Sequence, residues 1–300
     1  MSKYSIAVVG CGNVGASAVQ AVLQAVDMEL VGIVEKAELC ETMAGIYDCP
    51  VVDSIAKVPK PDGVVLAIPS TLIPVVAPDY LRQGIATSDS YDLHGQPLLD
   101  TLGKLETAAK EGQVASVSSA GWDPGTDSLI RAIFKIMAPQ GITHTNFGPG
   151  MSMGHTVAVK NLPGVRDAIS MTIPAGRGIH QREVYVELET GIDFAQVKQQ
   201  ICNDPYFCKD KTNIHQVDDV SALLDMGHGV SLQRRGVASG VHNQLFEFTS
   251  RITNPAVTAQ VLVSSLRAAL RQKPGAYVML DLPLLDFLPG DRSQLIKELC

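Results

Sequence analysis

Two aspartates and a glycine triplet hold most of the chemistry legible in this sequence. Asp92 closes Asp89-Ser90-Tyr91-Asp92, and Asp123 closes Ser118-Ser119-Ala120-Gly121-Trp122-Asp123. Each follows a run that reads as a strand, so the ends of two different strands can bring both carboxylates to one pocket. Paired carboxylates there can bind an ammonium group, or take its proton before a hydride leaves. Each also has a plainer reading. Asp123 precedes Pro124, a capping context at a helix start, and Asp92 suits an Asx-turn. The glycines follow Ser5-Ile6-Ala7-Val8-Val9, in Gly10-Cys11-Gly12-Asn13-Val14-Gly15. Gly10 permits a tight turn, Gly12 lets backbone approach a pyrophosphate, and Gly15 lets a helix pack close to the strand. The helix start adds unpaired N–H groups and partial positive charge. Glu35, with Lys36 beside it, ends a second strand about 20 residues beyond Gly15, where an acidic residue meets a ribose.

The elements that must position these groups alternate. Strands are expected at Ser5–Val9, Glu29–Val34, Gly63–Ile68, Ala86–Ser90 and Gln113–Ser118, with helices at Val14–Ala25, around Pro78–Gln83, and at Leu98–Glu111. That order predicts an α/β fold, a doubly wound parallel sheet with helices on both faces. Ligands of such sheets bind beyond the carboxyl ends of the strands. Pro69-Ser70-Thr71 and Ser90-Tyr91 lie there and join the glycines as candidate cofactor contacts.

The pattern changes after Asp123. Pro124 opens an expected helix to about Met137, and alternating runs at Ala168–Ile173, Glu183–Glu189, Val230–Arg235 and Gln244–Arg251 read as antiparallel strands. A helix is expected from Asn254-Pro255 to about Arg271, then a strand over Gly275–Leu284. The division is a dinucleotide-binding domain over 1–120, to which 255–300 returns, and an α+β substrate-binding and dimerisation domain over 121–254. Asn146–His155 holds three glycines and a proline, which predicts an irregular loop able to form an anion-binding nest. Thr172, Arg182, His228 and Asn254 lie near strand ends, and an arginine fork suits a carboxylate. His155 reads as a hydrogen-bonded structural histidine, Arg234-Arg235 as a solvated pair.

Composition narrows the class. A net charge of −7 argues against nucleic acid or an anionic membrane as partner. No run approaches the ~20 apolar residues of a membrane span, and the opening residues carry no signal-peptide pattern. The six cysteines show no C-x-x-C pair, so they read as free thiols of a cytoplasmic protein, with no metal site expected.

Longer strings carry a resemblance. Gly-Cys-Gly-Asn-Val-Gly (10–15), Ser-Tyr-Asp-Leu-His-Gly (90–95), Ser-Ala-Gly-Trp-Asp-Pro-Gly-Thr-Asp-Ser (119–128), Thr-Asn-Phe-Gly-Pro-Gly-Met-Ser-Met-Gly-His (145–155) and Arg-Gln-Lys-Pro-Gly-Ala-Tyr (271–277) resemble the meso-diaminopimelate dehydrogenases. The resemblance spans the chain and implies a Rossmann-type domain with a second substrate domain, assembled as a homodimer. It implies reversible oxidative deamination at the D-centre of meso-2,6-diaminopimelate, giving L-2-amino-6-oxopimelate and ammonia within lysine biosynthesis. By that resemblance Asp92 and Asp123 flank the reactive amine. Trp122 and the Met153-Gly154 backbone meet the adjoining carboxylate, and Phe147 forms a pocket wall. Thr172, Arg182, His228 and Asn254 hold the distal L-centre. One departure concerns the cofactor. Family members place basic residues after the second strand for the 2′-phosphate of NADP, so the resemblance implies NADP. Glu35 in Val34-Glu35-Lys36 suits a ribose hydroxyl and repels a phosphate, with Lys36 a partial offset, so NAD stays open beside NADP. Two other readings remain open at this point. One is a different Rossmann-type reductase of a carbonyl or cyclic imine; the other is a non-enzymatic nucleotide-sensing module.

Overall fold

A computed structural model describes residues 3–223 and 227–300. The chain divides into two compact units, one of residues up to Leu129 with Pro255–Cys300, the other of Ile130–Asn254. The first boundary thus falls after Leu129 rather than at residue 120. The reason is packing: Leu129 lies against the hydrophobic core of the first unit.

The first unit opens with β1 (Tyr4–Val9), α1 (Asn13–Gln24), β2 (Met28–Val34), α2 (Ala37–Met43) and β3 (Val51–Val52). It continues through β4 (Gly63–Leu66), α3 (Ile73–Arg82), β5 (Ala86–Asp89), α4 (Gln96–Gly112) and β6 (Ala115–Val117), and α5 (Thr126–Met137) runs across the boundary at Leu129. The second unit holds β7 (Gln140–Phe147), β8 (Gly150–Met151), α6 (Met153–Lys160), β9 (Val165–Gly176), β10 (Ile179–Leu188), α7 (Phe194–Asn203), β11 (Lys211–Gln216), β12 (His228–Ala238) and β13 (Val241–Ile252). The chain then returns through α8 (Asn254–Ala269), β14 (Gly275–Tyr277) and α9 (Arg292–Leu299).

In the first unit a seven-stranded parallel sheet runs β14-β6-β5-β4-β1-β2-β3. The order reverses between β1 and β4, which opens a crevice at their carboxyl ends. Alternation along β1 explains the two helical layers. Ile6 and Val8 face α1 and α8, packing with Val19, Val22, Leu262 and Leu266. Ala7 and Val9 face the opposite layer, with Ile73, Leu81 and Leu105. Burying one such aliphatic side chain contributes about 1.5–3 kcal/mol. An exposed ion pair such as Arg82–Glu111 contributes about 0.2–1 kcal/mol, so these two layers hold the unit together.

The returning tail is held by a specific pair. Buried Arg267 of α8 donates from Nε and Nη2 to the two oxygens of Asp27, at 2.6 and 2.8 Å, and from Nη1 to the Phe287 carbonyl at 3.0 Å. The hydrogen bond from Arg267 holds the Asp27 carboxyl below its ordinary range. The strand expected over Gly275–Leu284 stops at Tyr277. Two short 3-10 turns follow, Met279–Asp281 and Leu284–Phe287. The Asp281 carboxylate takes the Val278 amide at 2.9 Å, and Pro283 has no N–H to lend a ladder.

The second unit carries two sheets, β11-β10-β9-β8 and β13-β12-β7. The first is covered by α6 and α7, whose Val159, Val197 and Ile201 pack on Val184, Val186 and Ala168. The second is antiparallel throughout. Strict alternation there buries Arg234, contrary to the solvated pair expected. Its guanidinium donates to the carbonyls of Ala138 (2.7 Å) and Pro139 (3.1 Å) and to Thr143 Oγ1 (2.8 Å). Its neighbour Arg235 points the opposite way and is exposed.

Asn146–His155 is also more regular than its glycines and proline predict. Asn146 and Phe147 end β7, Gly150 and Met151 pair with Thr172 and Met171 of β9, and α6 starts at Met153. Gly148-Pro149, with Gly148 at φ +95°, and the N-cap Ser152 are the breaks in the pattern. The distant strand β9 supplies hydrogen bonds that local sequence does not announce.

Candidate active site

At the switch point, the backbone turn after β1 is shaped for a phosphate group. Gly10 adopts φ +83°, and a Cβ there would sit 2.5 Å from the Ala67 carbonyl oxygen. A Cβ on Gly15 would collide with the Gly10 carbonyl, so only glycine lets α1 pack this close. A Cβ on Gly12 would meet nothing, which leaves open space beside the backbone. Gly12 is also the N-cap of α1 and lends no side chain to the first turn, so its amides stay available to an anion. Asn13 and Val14 begin that turn; Val14 packs toward the core. A cleft of 640 Å³ extends from this turn, lined by Gly10, Cys11, Gly12, Glu35, Lys36, Asp53, Pro69 and apolar neighbours. The residues present therefore fit a dinucleotide, pyrophosphate on the glycine turn and ribose toward Glu35.

Glu35 is fixed by the same turn. Its Oε2 accepts the Cys11 amide at 2.7 Å and its Oε1 the Lys36 amide at 2.8 Å. Pro69 lines the cleft, and Ser70 and Thr71 form a 3-10 turn directly after it. Ser70 Oγ accepts the amide of Asp92 at 3.2 Å, which ties the expected acid to the cleft's rim. Asp92 itself is exposed, and the Asx-turn in this stretch belongs to Asp89, whose Oδ1 takes the Tyr91 amide at 3.0 Å. Tyr91 differs from expectation. Its ring is buried in the core and its hydroxyl donates to the Pro97 carbonyl, so it supports the loop rather than lining the cleft.

Asp123 lies on a tight turn that follows β6. Gly121 N–H donates to the Pro124 carbonyl (2.9 Å), and Thr126 and Asp127 amides return to Gly121 and Trp122 carbonyls (3.1 and 3.0 Å). Gly125, at φ +142°, packs against Gly121 too closely for any side chain. The helix begins at Thr126, so Asp123 stands ahead of the capping position and is half-buried. Trp122 is buried beside it. Ser90 abuts Gly121, where an added Cβ would lie 3.4 Å from Ser90 Cβ. The two acid-bearing loops thus leave adjacent parallel strands at the same end of the sheet.

The second unit gathers a polar cluster of its own around Arg182. Arg182 Nε donates to Asp210 at 2.7 Å, and Nη1 donates to the buried Thr172 hydroxyl. Register places the two side by side, Arg182 opposite Thr172. His180 Nε2 accepts the Phe147 amide at 2.8 Å, and the Phe147 ring stacks toward His228 at 6.4 Å. Gly150 abuts the His228 ring. Gly154 is exposed near the Tyr206 ring, in the first turn of α6 with the Met153 backbone. Asn254 begins α8. His180 and Asp210 had no signal in sequence; each acts through a strand pairing or ion pair that joins distant segments.

The histidines around Arg182 are neutral at pH 7. Burial, and then the Arg182 guanidinium, push His155 and His228 down to about 4. For His155 a neutral ring with its proton on Nε2 satisfies both neighbours, the Tyr206 carbonyl at 3.0 Å and Ser152 Oγ at 2.8 Å. An unfolded histidine binds a proton below about 6.5, the folded one only near 4, so stability is lost as pH falls through that window. Calorimetry from about pH 7 to about pH 4.5 should show a falling unfolding midpoint, with a weaker dependence in His155→Gln. Identical pH profiles for the two proteins would contradict this assignment.

A parallel sheet with a glycine turn at its switch point, and acids on the neighbouring strand ends, defines a nicotinamide-dinucleotide oxidoreductase. Residues 121–253 match the family model of the diaminopimelic acid dehydrogenase C-terminal domain. A meso-diaminopimelate D-dehydrogenase of Bacteroides fragilis is 48% identical over the full length of both chains. The solved structure of C. glutamicum DAP dehydrogenase in complex with DAP superposes with TM-score 0.88 at 27% identity, covering all of both chains. An engineered D-amino acid dehydrogenase bound to NADP⁺ superposes with TM-score 0.84 at 25% identity, again over both whole chains. The chain belongs to the meso-diaminopimelate D-dehydrogenase family and is an NAD(P)-dependent amino acid dehydrogenase. No helix among the described residues is long and apolar enough to cross a membrane.

Proposed function

We propose that this chain catalyses the reversible oxidative deamination of meso-2,6-diaminopimelate at its D-centre, releasing L-2-amino-6-oxopimelate and ammonia. The observation that carries this reading is the tie between Asp92 and Ser70, which sets an acid at the rim of the dinucleotide cleft. Asp92 and Asp123 bind the substrate ammonium, and the pair accepts one of its protons. The amine lone pair then helps expel the α-hydrogen as hydride. The bound nicotinamide ring supplies the hydride acceptor. Water adds to the resulting substrate imine, and ammonia leaves the same carbon. Trp122 and the Met153-Gly154 backbone hold the adjoining carboxylate, and Phe147 walls the pocket. Thr172, Arg182, His228 and Asn254 fix the distal L-centre, with the arginine fork on its carboxylate. A spectrophotometric assay of the meso, L,L and D,D isomers tests the reading. Cofactor reduction with the meso isomer alone, with release of ammonia, is expected; oxidation of the reduced cofactor by a carbonyl substrate without ammonia would overturn it.

For the cofactor, the proposal is NAD over NADP. A 2′-phosphate carries about −1.5 to −2 charges. It would approach the fixed carboxylate of Glu35, while Lys36 is the only cation lining the cleft among the described residues. Asp53 adds a second carboxylate there, paired with Lys57 at 2.6 Å. Wild-type kcat/KM is expected to favour NAD by about tenfold or more, a difference of ~1.4 kcal/mol. Glu35→Ser should shift the ratio toward NADP by a similar factor, and an unchanged ratio would remove Glu35 from cofactor choice.

The remaining roles follow the same reading. The second unit serves substrate binding and dimerisation, and the protein works as a homodimer. Ile142 and Leu245, both opposite Arg235 across the three-stranded sheet, and Val241 leave an exposed apolar face for that contact. Its six cysteines are free thiols, which suits the reducing cytoplasm.

A further inference from the structure

Asp89 is the last residue of β5, wholly buried, and takes no part in the chemistry proposed above. One of its oxygens nevertheless gathers both acid-bearing loops. Oδ1 accepts from Ser118 Oγ at 2.7 Å, from the Tyr91 amide at 3.0 Å and from the Ser119 amide at 3.4 Å. Two donors therefore come from the loop leading to Asp123, and one from the loop leading to Asp92. Two more bonds cross at the same level. The Asp89 carbonyl accepts the Ala120 amide at 2.9 Å, and Ser119 Oγ donates to the Tyr91 carbonyl at 2.8 Å. Ser119 holds φ +54°, a left-handed backbone that an L-residue keeps only when its surroundings fix it.

The arrangement is more than ordinary packing. An aliphatic residue would fill a buried strand end without stranding a polar atom, yet Asp89 Oδ2 is buried with no partner among the described residues. Burial pushes the carboxyl up to about 6, against the pull of the Ser118, Tyr91 and Ser119 bonds. A carboxyl kept at that cost in desolvation has a use for its acceptor. We propose that Asp89 is a positioning residue, whose Oδ1 sets Asp92 and Asp123 relative to each other by clamping the β5 and β6 exits together. The inference rests on Asp92 and Asp123 being the acids at the reacting amine. A displacement of ~1 Å at such a site costs on the order of 100-fold in rate.

The test compares Asp89→Ala, Asp89→Asn and the double variant Ser118→Ala/Ser119→Ala in the full-length enzyme. Read-outs are kcat and KM with meso-diaminopimelate, the NAD dissociation constant, and the thermal midpoint. Asparagine keeps the acceptor, so Asp89→Asn is expected to stay within about threefold of wild-type kcat. Asp89→Ala loses the acceptor and should fall by ~10–100-fold in kcat, with the NAD dissociation constant changed by less than about twofold. If Asp89→Ala does not fold, the double variant carries the same expectation, because it removes the two hydroxyl bonds and leaves the carboxyl in place. Wild-type kcat in Asp89→Ala, or in the double variant, overturns the clamp. So does equal loss in Asp89→Asn and Asp89→Ala. An inactive wild-type enzyme would instead refute the reaction itself, so the two failures are distinguishable.

Discussion

Asp123→Asn should abolish most turnover of meso-diaminopimelate, by about 10²–10⁴-fold in kcat, while NAD binds as before. The size follows from what the substitution removes. Asparagine keeps the shape of the side chain on the Gly121–Thr126 turn, which backbone bonds and the Thr126 hydroxyl hold together. It cannot take a proton from the ammonium, and it carries no charge to hold one. The glycine turn, Glu35 and the rest of the dinucleotide cleft contain no Asp123 atom, so cofactor affinity is the internal control. Stopped-flow reduction of the cofactor, beside equilibrium NAD titration, separates the two quantities. Turnover near the wild-type rate would remove Asp123 from the mechanism and leave Asp92 to act alone.

Arg182→Met carries the second large effect, and its signature is selectivity. Removing a charge-paired arginine costs on the order of 3 kcal/mol of binding, or roughly 100-fold in kcat/KM. That loss is expected for meso-diaminopimelate if, as proposed, the arginine takes its distal carboxylate. Short D-amino acids have no distal carboxylate and should lose less than about threefold. The fold should survive the change. Asp210, the partner left behind, is 27% exposed in its side chain and can be hydrated. Equal losses on long and short substrates would mean that Arg182 supports the sheet and does not hold substrate. Thr172 reports on the same point, since its hydroxyl meets the guanidinium from the neighbouring strand.

The first unit was far more legible in sequence than the second, for a physical reason. Its parallel strands are short apolar runs, each followed by a helix with its own period, and glycine must occupy the turn that a side chain would obstruct. Gly10, Gly15 and Glu35 therefore announce themselves. In the second unit the decisive pairings join remote segments. β8 is only Gly150-Met151 and exists because β9 offers it partners. Arg234 is buried because β12 alternates between two neighbours, which adjacent arginines do not reveal. Asp89 was legible as a strand end and not as a clamp, since its partners at Ser118 and Ser119 come from another strand exit.

The central claim is hydride loss from the D-carbon of a molecule held at its other end. It is tested most directly with meso-diaminopimelate carrying deuterium at one α-carbon at a time, followed by mass analysis of the reduced cofactor. Label at the D-centre should appear in the cofactor and slow turnover, while label at the L-centre should stay in the product. Deuterium reaching the cofactor from the L-centre, or washing into water from the D-centre, would contradict the account.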